Sequence, residues 1–363
     1  MIHRVVMIRP DTGGVAYIAA SCAEEMRVRG VDVTELIGTD GGSPARDGAR
    51  AVWAHRAEIR AADIVHVELG ITAISTFWIA AWTGLMRGTM VTAIHDGPKL
   101  VSAPGSGLIR TSHGRRDAIA HKICAPLLDR LLRAWLVRRT QRWVTPSNRS
   151  AEKMESAGLI PTTVVALGAG PPLQSAPPSR CDSVMYAGFI SPDKGLDILI
   201  DAWEMIHRKT QLRLRIVGTY SRQHANYAEE LRNRLETIDP TSSWSGWVDD
   251  QTFSAAIASA AIVVIPYRRS NPVSGVLIRA AVEGRAIIGS DVPALTDFLR
   301  DEVSAEVVKA NNADELARML LQLCSDAPTQ DALGAEAARW GREYCSWQSQ
   351  VDQLLSIYAE CPT

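Results

Sequence analysis

The sequence has almost no net charge, because 39 Lys and Arg residues stand against 40 Asp and Glu residues and leave a formal charge of −1 at pH 7. Domains that bind nucleic acid non-specifically carry a basic excess, so the composition gives no support for nucleic acid as a partner. Hydrophobic residues make up 46% and charged residues 22%, which is typical of a soluble globular protein. A chain of 363 residues suits two domains of ordinary size.

Cysteine spacing of the disulfide or zinc-binding kind is also missing. The six cysteines form neither a CxxC pair nor a Cys/His cluster, and they are Cys22, Cys124, Cys181, Cys324, Cys345 and Cys361. This scatter predicts reduced thiols in a cytosolic protein. The first ten residues, MIHRVVMIRP, are too short and too interrupted for a signal peptide and predict a first strand instead.

Two phosphate-binding signatures are absent. Gly13-Gly14 follows the first predicted strand, but no third glycine at Tyr17 or Ile18 completes the GxGxxG fingerprint of dinucleotide-binding enzymes. No Asp-x-Asp pair follows a predicted strand, and Asp249-Asp250 is more simply interpreted as the start of a helix. We therefore expect neither a dehydrogenase nor a site for a required metal.

One long stretch lacks charge altogether. Residues 69–86, LGITAISTFWIAAWTGLM, could nearly span a bilayer. Its threonines, serine and glycines weaken that interpretation, and it lies between two strand-like runs, where a crossover helix is expected. A helix buried in a domain is favoured over partial membrane contact, and both are favoured over a true span.

Strand-like apolar runs alternate with helical stretches on both sides of one Pro- and Gly-rich break at residues 168–180. The alternation predicts an α/β protein with parallel sheets covered on both faces. The predicted domains are 1–167 and 181–343, with a C-terminal helix in 344–363 that packs back on the first domain. Two such halves facing a central cleft would bind ligands beyond the carboxyl ends of their strands.

The stretch 262–299 is the strongest candidate for a ligand site. It predicts strand, loop, helix, strand, loop and helix, with Ser274-Gly275 opening the first helix and Gly284 closing it. A strand that stops at a polar loop and a helix N-terminus favours anions, because free backbone N–H groups and the helix dipole point at the loop. We expect a nucleotide-linked substrate there. An ordinary crossover without ligand is the commoner alternative.

Two further side chains are candidates for chemistry. His95-Asp96 ends a predicted strand, so His95 can donate to a hydroxyl or a phosphate, or can simply satisfy loop carbonyls. Lys194 opens a predicted helix, where its charge opposes the helix dipole unless an anion lies between them. A solvated lysine is the alternative at that position.

The region 108–143 is strongly basic, with nine basic residues against two acidic ones and leucines interleaved among them. Such a basic amphipathic helix is typical of contact with an anionic membrane surface. A solvated helix on a domain surface is an equal alternative.

These residues together resemble the retaining GT-B glycosyltransferases of family four. In the second half YAGFISPDKGLDILIDAW is similar to the family's GR…KG…L…A block, LRIVG to its next strand, SGWVDDQTFSAAIASAAIVVIPY to the following block, and 262–299 to its donor-binding helix. In the first half Gly13-Gly14 resembles the family's glycine loop, His95-Asp96 its active-site histidine turn, and Ser147 the serine that ends its last strand. The resemblance covers nearly the whole chain.

The resemblance implies a UDP- or GDP-sugar donor, a glycan or lipid-linked acceptor, no further cofactor and no metal. It assigns catalysis to His95 and Lys194 and donor binding to Gly13, Gly14, Gly188, Lys194, Tyr267, Asn271, Ser274, Gly275, Val276 and Arg279. The donor's own leaving oxygen would help to deprotonate the acceptor, with retention at the anomeric carbon. Lys194 and the helix amides would stabilise the departing charge. A cytoplasmic protein at the inner membrane face, active in surface polysaccharide or glycolipid synthesis, follows as an expectation.

Three residues depart from the family pattern. Phe189 replaces an arginine, and Asn271 and Arg279 replace two donor-site glutamates. Asn271 could still bind a hydroxyl, and Arg279 could bind phosphate or a carboxylate on an unusual donor. The departures leave two alternatives, which are a non-catalytic sugar-nucleotide-binding scaffold and a GT-B epimerase, for which Glu283 is the nearest candidate carboxylate.

Overall fold

The structure, a computed structural model, describes residues 2–39, 43–70, 74–87, 90–95, 131, 134–173, 176–269, 273–299 and 305–361. Within it the chain divides into two compact units. The first is Met1–Gly168 with Trp347–Thr363, and the second is Ala169–Ser346. Most of the basic region 108–143 lies outside the described residues, so its predicted membrane contact stays a prediction.

The first unit is built on a six-stranded parallel sheet in the order β2-β1-β3-β4-β5-β6. Every residue of the third and fourth strands is buried, as expected for a parallel sheet covered on both faces. The strands are β1 (Arg4–Pro10), β2 (Asp32–Gly38), β3 (Ile64–Leu69), β4 (Met90–Ile94), β5 (Thr140–Thr145) and β6 (Thr162–Val164). The helices between them are α1 (Gly14–Val28), α2 (Pro44–Ala54), α3 (Arg56–Ala61), α4 (Ile74–Met86) and α5 (Asn148–Ser156).

Residues 74–86 of the uncharged run fold as α4, which packs inside the first unit with Phe77 and Ile79 each 2% exposed. The prediction of a buried crossover helix is therefore confirmed. In the part of the chain that the structure describes, no helix has both the length and the apolar character needed to cross a membrane.

The second unit repeats the architecture, with a six-stranded parallel sheet in the order β12-β11-β10-β7-β8-β9. Its strands are β7 (Ser183–Ala187), β8 (Arg213–Val217), β9 (Ser243–Ser245), β10 (Ile262–Ile265), β11 (Ala286–Ser290) and β12 (Glu306–Val308). Its helices are α6 (Leu196–Ile206), α7 (Ala225–Ile238), α8 (Asp250–Ala258), α9 (Gly275–Val282), α10 (Pro293–Leu299), α11 (Ala313–Cys324) and α12 (Ala327–Tyr344).

The last helix, α13 (Trp347–Ala359), belongs to the first unit. Its residues Leu354 and Tyr358 are buried in one core cluster with Val5 and Met7 of β1. The Tyr17 and Trp347 rings lie 5.7 Å apart in an edge-to-face arrangement. The C-terminal helix therefore forms part of the core of the first unit.

One predicted helix boundary was wrong. Lys194 was expected to open the first helix of the second half, but it ends a 3₁₀ turn, Pro192–Lys194, and α6 begins at Leu196. Gly195 between them has a φ of 67°, a left-handed conformation that interrupts the helical hydrogen bonding. Lys194 therefore sits on a tight turn before the helix.

Candidate functional site

The carboxyl edge of the second sheet carries most of the predicted donor residues. Gly188 follows β7 with a φ of 117°, a backbone conformation that favours glycine. A side-chain carbon there would lie 3.4 Å from Val276 and 4.0 Å from the Tyr267 hydroxyl. The sheet order puts β10 beside β7, so the loops after both strands meet at this edge.

The N-terminus of α9 is capped by Ser274, whose Oγ accepts a hydrogen bond from the Leu277 N–H at 3.4 Å. The Tyr267 hydroxyl lies 3.4 Å from the same Oγ, and both side chains are buried. Ser290 Oγ donates to the Tyr267 carbonyl at 2.6 Å and fixes its backbone. The predicted cap at Ser274 and helix start at Gly275 are confirmed. The first N–H groups of a helix have no intrahelical acceptor, so this terminus favours an anion.

Lys194 lies at the same edge. Its ammonium nitrogen is 4.0 Å from the centroid of the Tyr267 ring, a distance suited to a cation–π interaction. Tyr267 therefore links the Lys194 charge to the cap of α9, since its ring contacts the ammonium and its hydroxyl reaches Ser274. The structure brings Gly188, Lys194, Tyr267 and Ser274 into one group, with Val276 against Gly188.

An ion pair that sequence reasoning missed fixes the two loops of this edge. The Arg268 guanidinium donates to both carboxylate oxygens of Asp197, at 2.8 and 2.6 Å. The Arg268 N–H also donates to the Asp193 carbonyl at 2.8 Å, in the turn that carries Lys194. Burial raises the pKa of Asp197, but the Arg268 hydrogen bond and charge, with a hydrogen bond from Tyr227, outweigh burial and lower it. The sequence shows only that both residues lie close to predicted site residues, since Arg268 follows Tyr267 and Asp197 lies three residues after Lys194.

Arg279 has a different set of contacts from the one that the resemblance implies. Its Nη1 donates to the Gly170 carbonyl at 3.1 Å and lies 3.1 Å from a carboxylate oxygen of Glu283. The other Glu283 oxygen accepts the Leu173 N–H at 2.9 Å. Arg279 and Glu283 thus bind the backbone of residues 170–173, at the start of the second unit. The predicted role of Arg279 in donor binding stays a prediction.

Glu283 is the carboxylate that the epimerase alternative needs. Burial raises its pKa, against the lowering by the Leu173 N–H and by the charges of Arg279 and Arg285. Both of its oxygens are already engaged, one by Arg279 and one by Leu173. Its geometry is therefore that of a structural clamp.

Replacing Arg279 by alanine is expected to lower the free energy of unfolding by about 3 kcal/mol, because it removes the guanidinium that pairs directly with the buried Glu283 carboxylate. The matched control is Arg232→Ala. Arg232 pairs with Glu236 at 3.2 Å with the same four-residue spacing, but both side chains are more than half exposed. That pair should contribute about 0.3–0.5 kcal/mol. Urea denaturation of both variants measures the difference, and equal losses would contradict the clamp.

Of the other two residues that depart from the pattern in the resemblance, the structure describes Phe189 but not Asn271. Phe189 is 63% exposed, and its carbonyl accepts a hydrogen bond from the Tyr186 hydroxyl at 2.7 Å. An exposed aromatic ring therefore stands where the resemblance implies a cation. Asn271 lies outside the described residues, as does Asp96 in the first half.

The first unit presents a second group of polar side chains, at the carboxyl ends of β3 and β4. His95 Nε2 lies 2.6 Å from one carboxylate oxygen of Glu68, and His66 Nε2 lies 3.0 Å from the other. The His66 and Glu68 side chains are at most 2% exposed and the His95 side chain is 11% exposed. Burial would raise the pKa of Glu68, but the charge of His95 and hydrogen bonds from both histidines lower it to about 2.

Sequence reasoning found His95 and missed its two partners. A signal was present, because His66 and Glu68 are polar residues two positions apart in the apolar run IVHVEL. Residues two apart in a strand point to the same face of the sheet. Polar groups on a buried face need a partner, and the strand next to β3 supplies His95.

The predicted glycine loop follows β1 at the same edge. Gly13 has a φ of 89°, and its carbonyl accepts the Tyr17 N–H at 3.1 Å as α1 begins. A side-chain carbon on Gly13 or Gly14 would meet nothing within 4 Å. For the residues that the structure describes, no group of three or more His, Cys, Asp or Glu is placed to hold a metal ion. That no metal is required stays a prediction.

Part of the chain matches a known family, and its relatives are glycosyltransferases. Residues 181–326 match the family model described as Glycosyl transferases group 1. The chain is 27% identical over 202 residues to the phosphatidyl-myo-inositol mannosyltransferase of Mycolicibacterium smegmatis, a match covering 55% of this chain and 50% of that protein. It is 26% identical over 200 residues to the D-inositol 3-phosphate glycosyltransferase of Jonesia denitrificans, covering 53% and 45%. The chain thus spans about half the length of the curated relatives it matches.

Solved structures extend the likeness to the whole chain. Anabaena Alr3699/HepE in complex with UDP and glucose superposes with a TM-score of 0.73 at 15% identity, covering 99% of this chain and 100% of that chain. Sucrose-phosphate synthase from Thermosynechococcus elongatus gives 0.71 at 14% identity, covering 99% and 98%. These matches and the two six-stranded parallel sheets confirm the predicted α/β fold class of GT-B type.

Proposed function

We propose that this protein is a glycosyltransferase that moves a sugar from a nucleotide-sugar donor to a glycan or lipid-linked acceptor, with retention of anomeric configuration. The observation that carries the proposal is the Lys194 ammonium 4.0 Å from the Tyr267 ring, whose hydroxyl reaches the Ser274 cap of α9. A cation beside a helix N-terminus suits a diphosphate group. This group of residues lies within the part that matches the family model.

Chemistry at this edge is electrostatic. When the bond between the sugar and the diphosphate breaks, negative charge develops on the leaving oxygen. The Lys194 ammonium and the amides at Gly275 and Val276 stabilise that charge because they are already oriented before the reaction. The leaving oxygen takes the acceptor proton, so the protein supplies no carboxylate pair of the hydrolase kind.

The relatives support the substrate class. Two of them are named for transfer to phosphatidyl-myo-inositol or to D-inositol 3-phosphate, and Alr3699/HepE was solved with UDP-glucose and with UDP. We extend this to a UDP- or GDP-sugar donor and to an acceptor at the cytoplasmic face of a membrane. Synthesis of a glycolipid or a surface polysaccharide follows from that acceptor.

A ligand screen followed by a turnover assay tests the proposal. UDP, GDP, ADP and dTDP are compared by thermal shift, and the sugar nucleotides of the stabilising base are then incubated with membrane extract. A nucleotide at about 100 times its Kd is expected to add about 2.7 kcal/mol to the free energy of unfolding. Release of nucleoside diphosphate only when acceptor extract is present supports transfer. A folded protein that turns over no donor would contradict the proposal.

The second candidate is a non-catalytic sugar-nucleotide-binding scaffold. The exposed Phe189 and the engagement of Arg279 with Gly170 and Glu283 favour it, because two contacts of the family's donor site are changed. Stabilisation by a nucleotide without turnover of any donor is the outcome that selects the scaffold. Conversion of the donor in the absence of acceptor would select an epimerase.

A further inference from the structure

In the first unit a buried carboxylate lies between two histidines, His66, Glu68 and His95 forming a row. If His95 only satisfied loop carbonyls, this arrangement would not be needed. Each carboxylate oxygen of Glu68 faces the Nε2 atom of a different histidine, at 3.0 and 2.6 Å. Glu68 and His95 also line a pocket whose other walls include Thr145, Pro146 and, from α13, Gln350. The His95 imidazole is the most exposed of the three side chains, and the Glu68 carboxylate lies deeper in the protein.

The hydrogen-bond chemistry of Glu68 fixes the proton positions on both rings. An ionised carboxylate only accepts hydrogen bonds, so each Nε2 atom that faces it must carry a proton. The pKa of about 2 keeps Glu68 ionised at neutral pH. It follows that His95 holds Nε2–H toward the protein and has only Nδ1 left for any other partner.

The two histidines differ in what surrounds their second nitrogen. His66 Nδ1 is buried and has no hydrogen-bond partner among the residues described, and the Tyr358 ring packs 5.7 Å from the imidazole. A proton on that nitrogen would be a buried donor without an acceptor, which costs free energy. The surroundings of His66 thus also favour a proton on Nε2 and none on Nδ1.

Other titratable groups near Glu68 do not compete for its charge. The Cys22 thiol on α1 and the Tyr358 phenol on α13 both approach it. Burial raises the pKa of each well above its ordinary value, with the Glu68 charge adding to the effect. Both groups are neutral at pH 7, so neither adds a charge beside Glu68, and the two histidines are the groups that face its oxygens.

We propose that Glu68 is a positioning residue for His95: it holds the ring as the Nε2–H tautomer and leaves Nδ1 to accept a hydrogen bond from a hydroxyl of the substrate. The logic is that of an acid residue behind a catalytic histidine. The substrate contact rests on the proposed function, whereas the tautomer and its cause do not.

Glu68→Gln gives a direct test, because an amide has one acceptor oxygen and one donor nitrogen. One of the two histidines must then present an unprotonated Nε2. Nitrogen-15 NMR of the histidine-labelled full chain reads each tautomer, with His66→Gln and His95→Gln used to assign the signals. We expect Nε2–H on both rings of the native chain and on both rings of Glu68→Asp, and a switched ring in Glu68→Gln. An Nδ1–H tautomer for native His95, or no change in Glu68→Gln, would overturn the assignment.

Kinetics separate positioning from mere stability. Glu68→Gln should lower kcat by about 100-fold with a small change in KM for the donor, and it should have no further effect in a His95→Ala background. Asp239→Asn is the matched control, since Asp239 is a buried carboxylate of the second unit that accepts from Trp203, Thr241 and Ser242. It should leave kcat within about 3-fold. Additive losses in the double variant would overturn the positioning role. Absence of turnover by the native chain would reject the proposed function while the tautomer result stands.

Discussion

Replacing Lys194 by alanine is expected to lower kcat/KM for the sugar donor by about 100- to 1,000-fold, the usual effect of removing one donor that stabilises developing negative charge. The side chain is partly buried, and its ammonium stacks on Tyr267 rather than extending into solvent. Its removal takes the positive charge from beside the cap of α9 and leaves the Ser274 cap in place. Initial rates of nucleoside diphosphate release, measured over a range of donor concentrations, give the effect.

Two companion variants make the result specific. Lys209→Ala removes an exposed lysine in the 3₁₀ turn that follows α6 and should leave kcat/KM within about 2-fold. Lys194→Arg keeps the charge but replaces a compact ammonium by a planar fork, so a partial loss is expected. An unchanged kcat/KM in Lys194→Ala would remove Lys194 from the diphosphate site. A Lys194→Ala chain that binds no nucleotide yet keeps its biological activity would favour the scaffold.

Local sequence patterns predicted the elements of this edge because each signal is contained within a few residues. Ser274 caps α9, and Gly284, with a φ of 64°, follows that helix. The apolar run 262–265 is a buried strand. The start of α6 was misplaced because the sequence KGLD does not reveal that Gly195 adopts a left-handed conformation. The Pro266 carbonyl, at a strand end distant in sequence, also occupies the place that a side-chain carbon on Gly195 would need.

Contacts across the sheets could not be predicted in the same way. Glu68 and His95 are 27 positions apart and meet only because β3 and β4 are neighbours in the sheet. Arg279 and Gly170 are 109 positions apart, so nothing near Arg279 in sequence predicts the carbonyl that it contacts. The ion pair of Arg279 with Glu283 was visible as a four-residue spacing on one helix. The burial of this pair, which makes its loss costly, was not visible in the sequence.

Replacing Gly195 by alanine is expected to be strongly destabilising, although it adds only one methyl group. Gly195 has a φ of 67°, and an added side-chain carbon would lie 2.0 Å from the Pro266 carbonyl oxygen. The left-handed conformation costs a residue with a side chain about 1–2 kcal/mol, and overpacking costs about 1–3 kcal/mol more. The obstructing atom belongs to the backbone, so no flexible side chain can move aside. We therefore expect a clear fall in the free energy of unfolding, measured by urea denaturation followed by circular dichroism.

The control is Gly246→Ala, because a side-chain carbon on Gly246 would meet nothing within 4 Å and its φ is not positive. It should change the free energy of unfolding by less than about 1 kcal/mol. If the chain survives Gly195→Ala by shifting Pro266, the next residue, Tyr267, must move with it. Its ring contacts Lys194 and its hydroxyl reaches Ser274, so binding of the nucleoside diphosphate should weaken together with stability. A Gly195→Ala chain as stable and as tightly binding as Gly246→Ala would show that the turn before α6 is not tied to this group of residues.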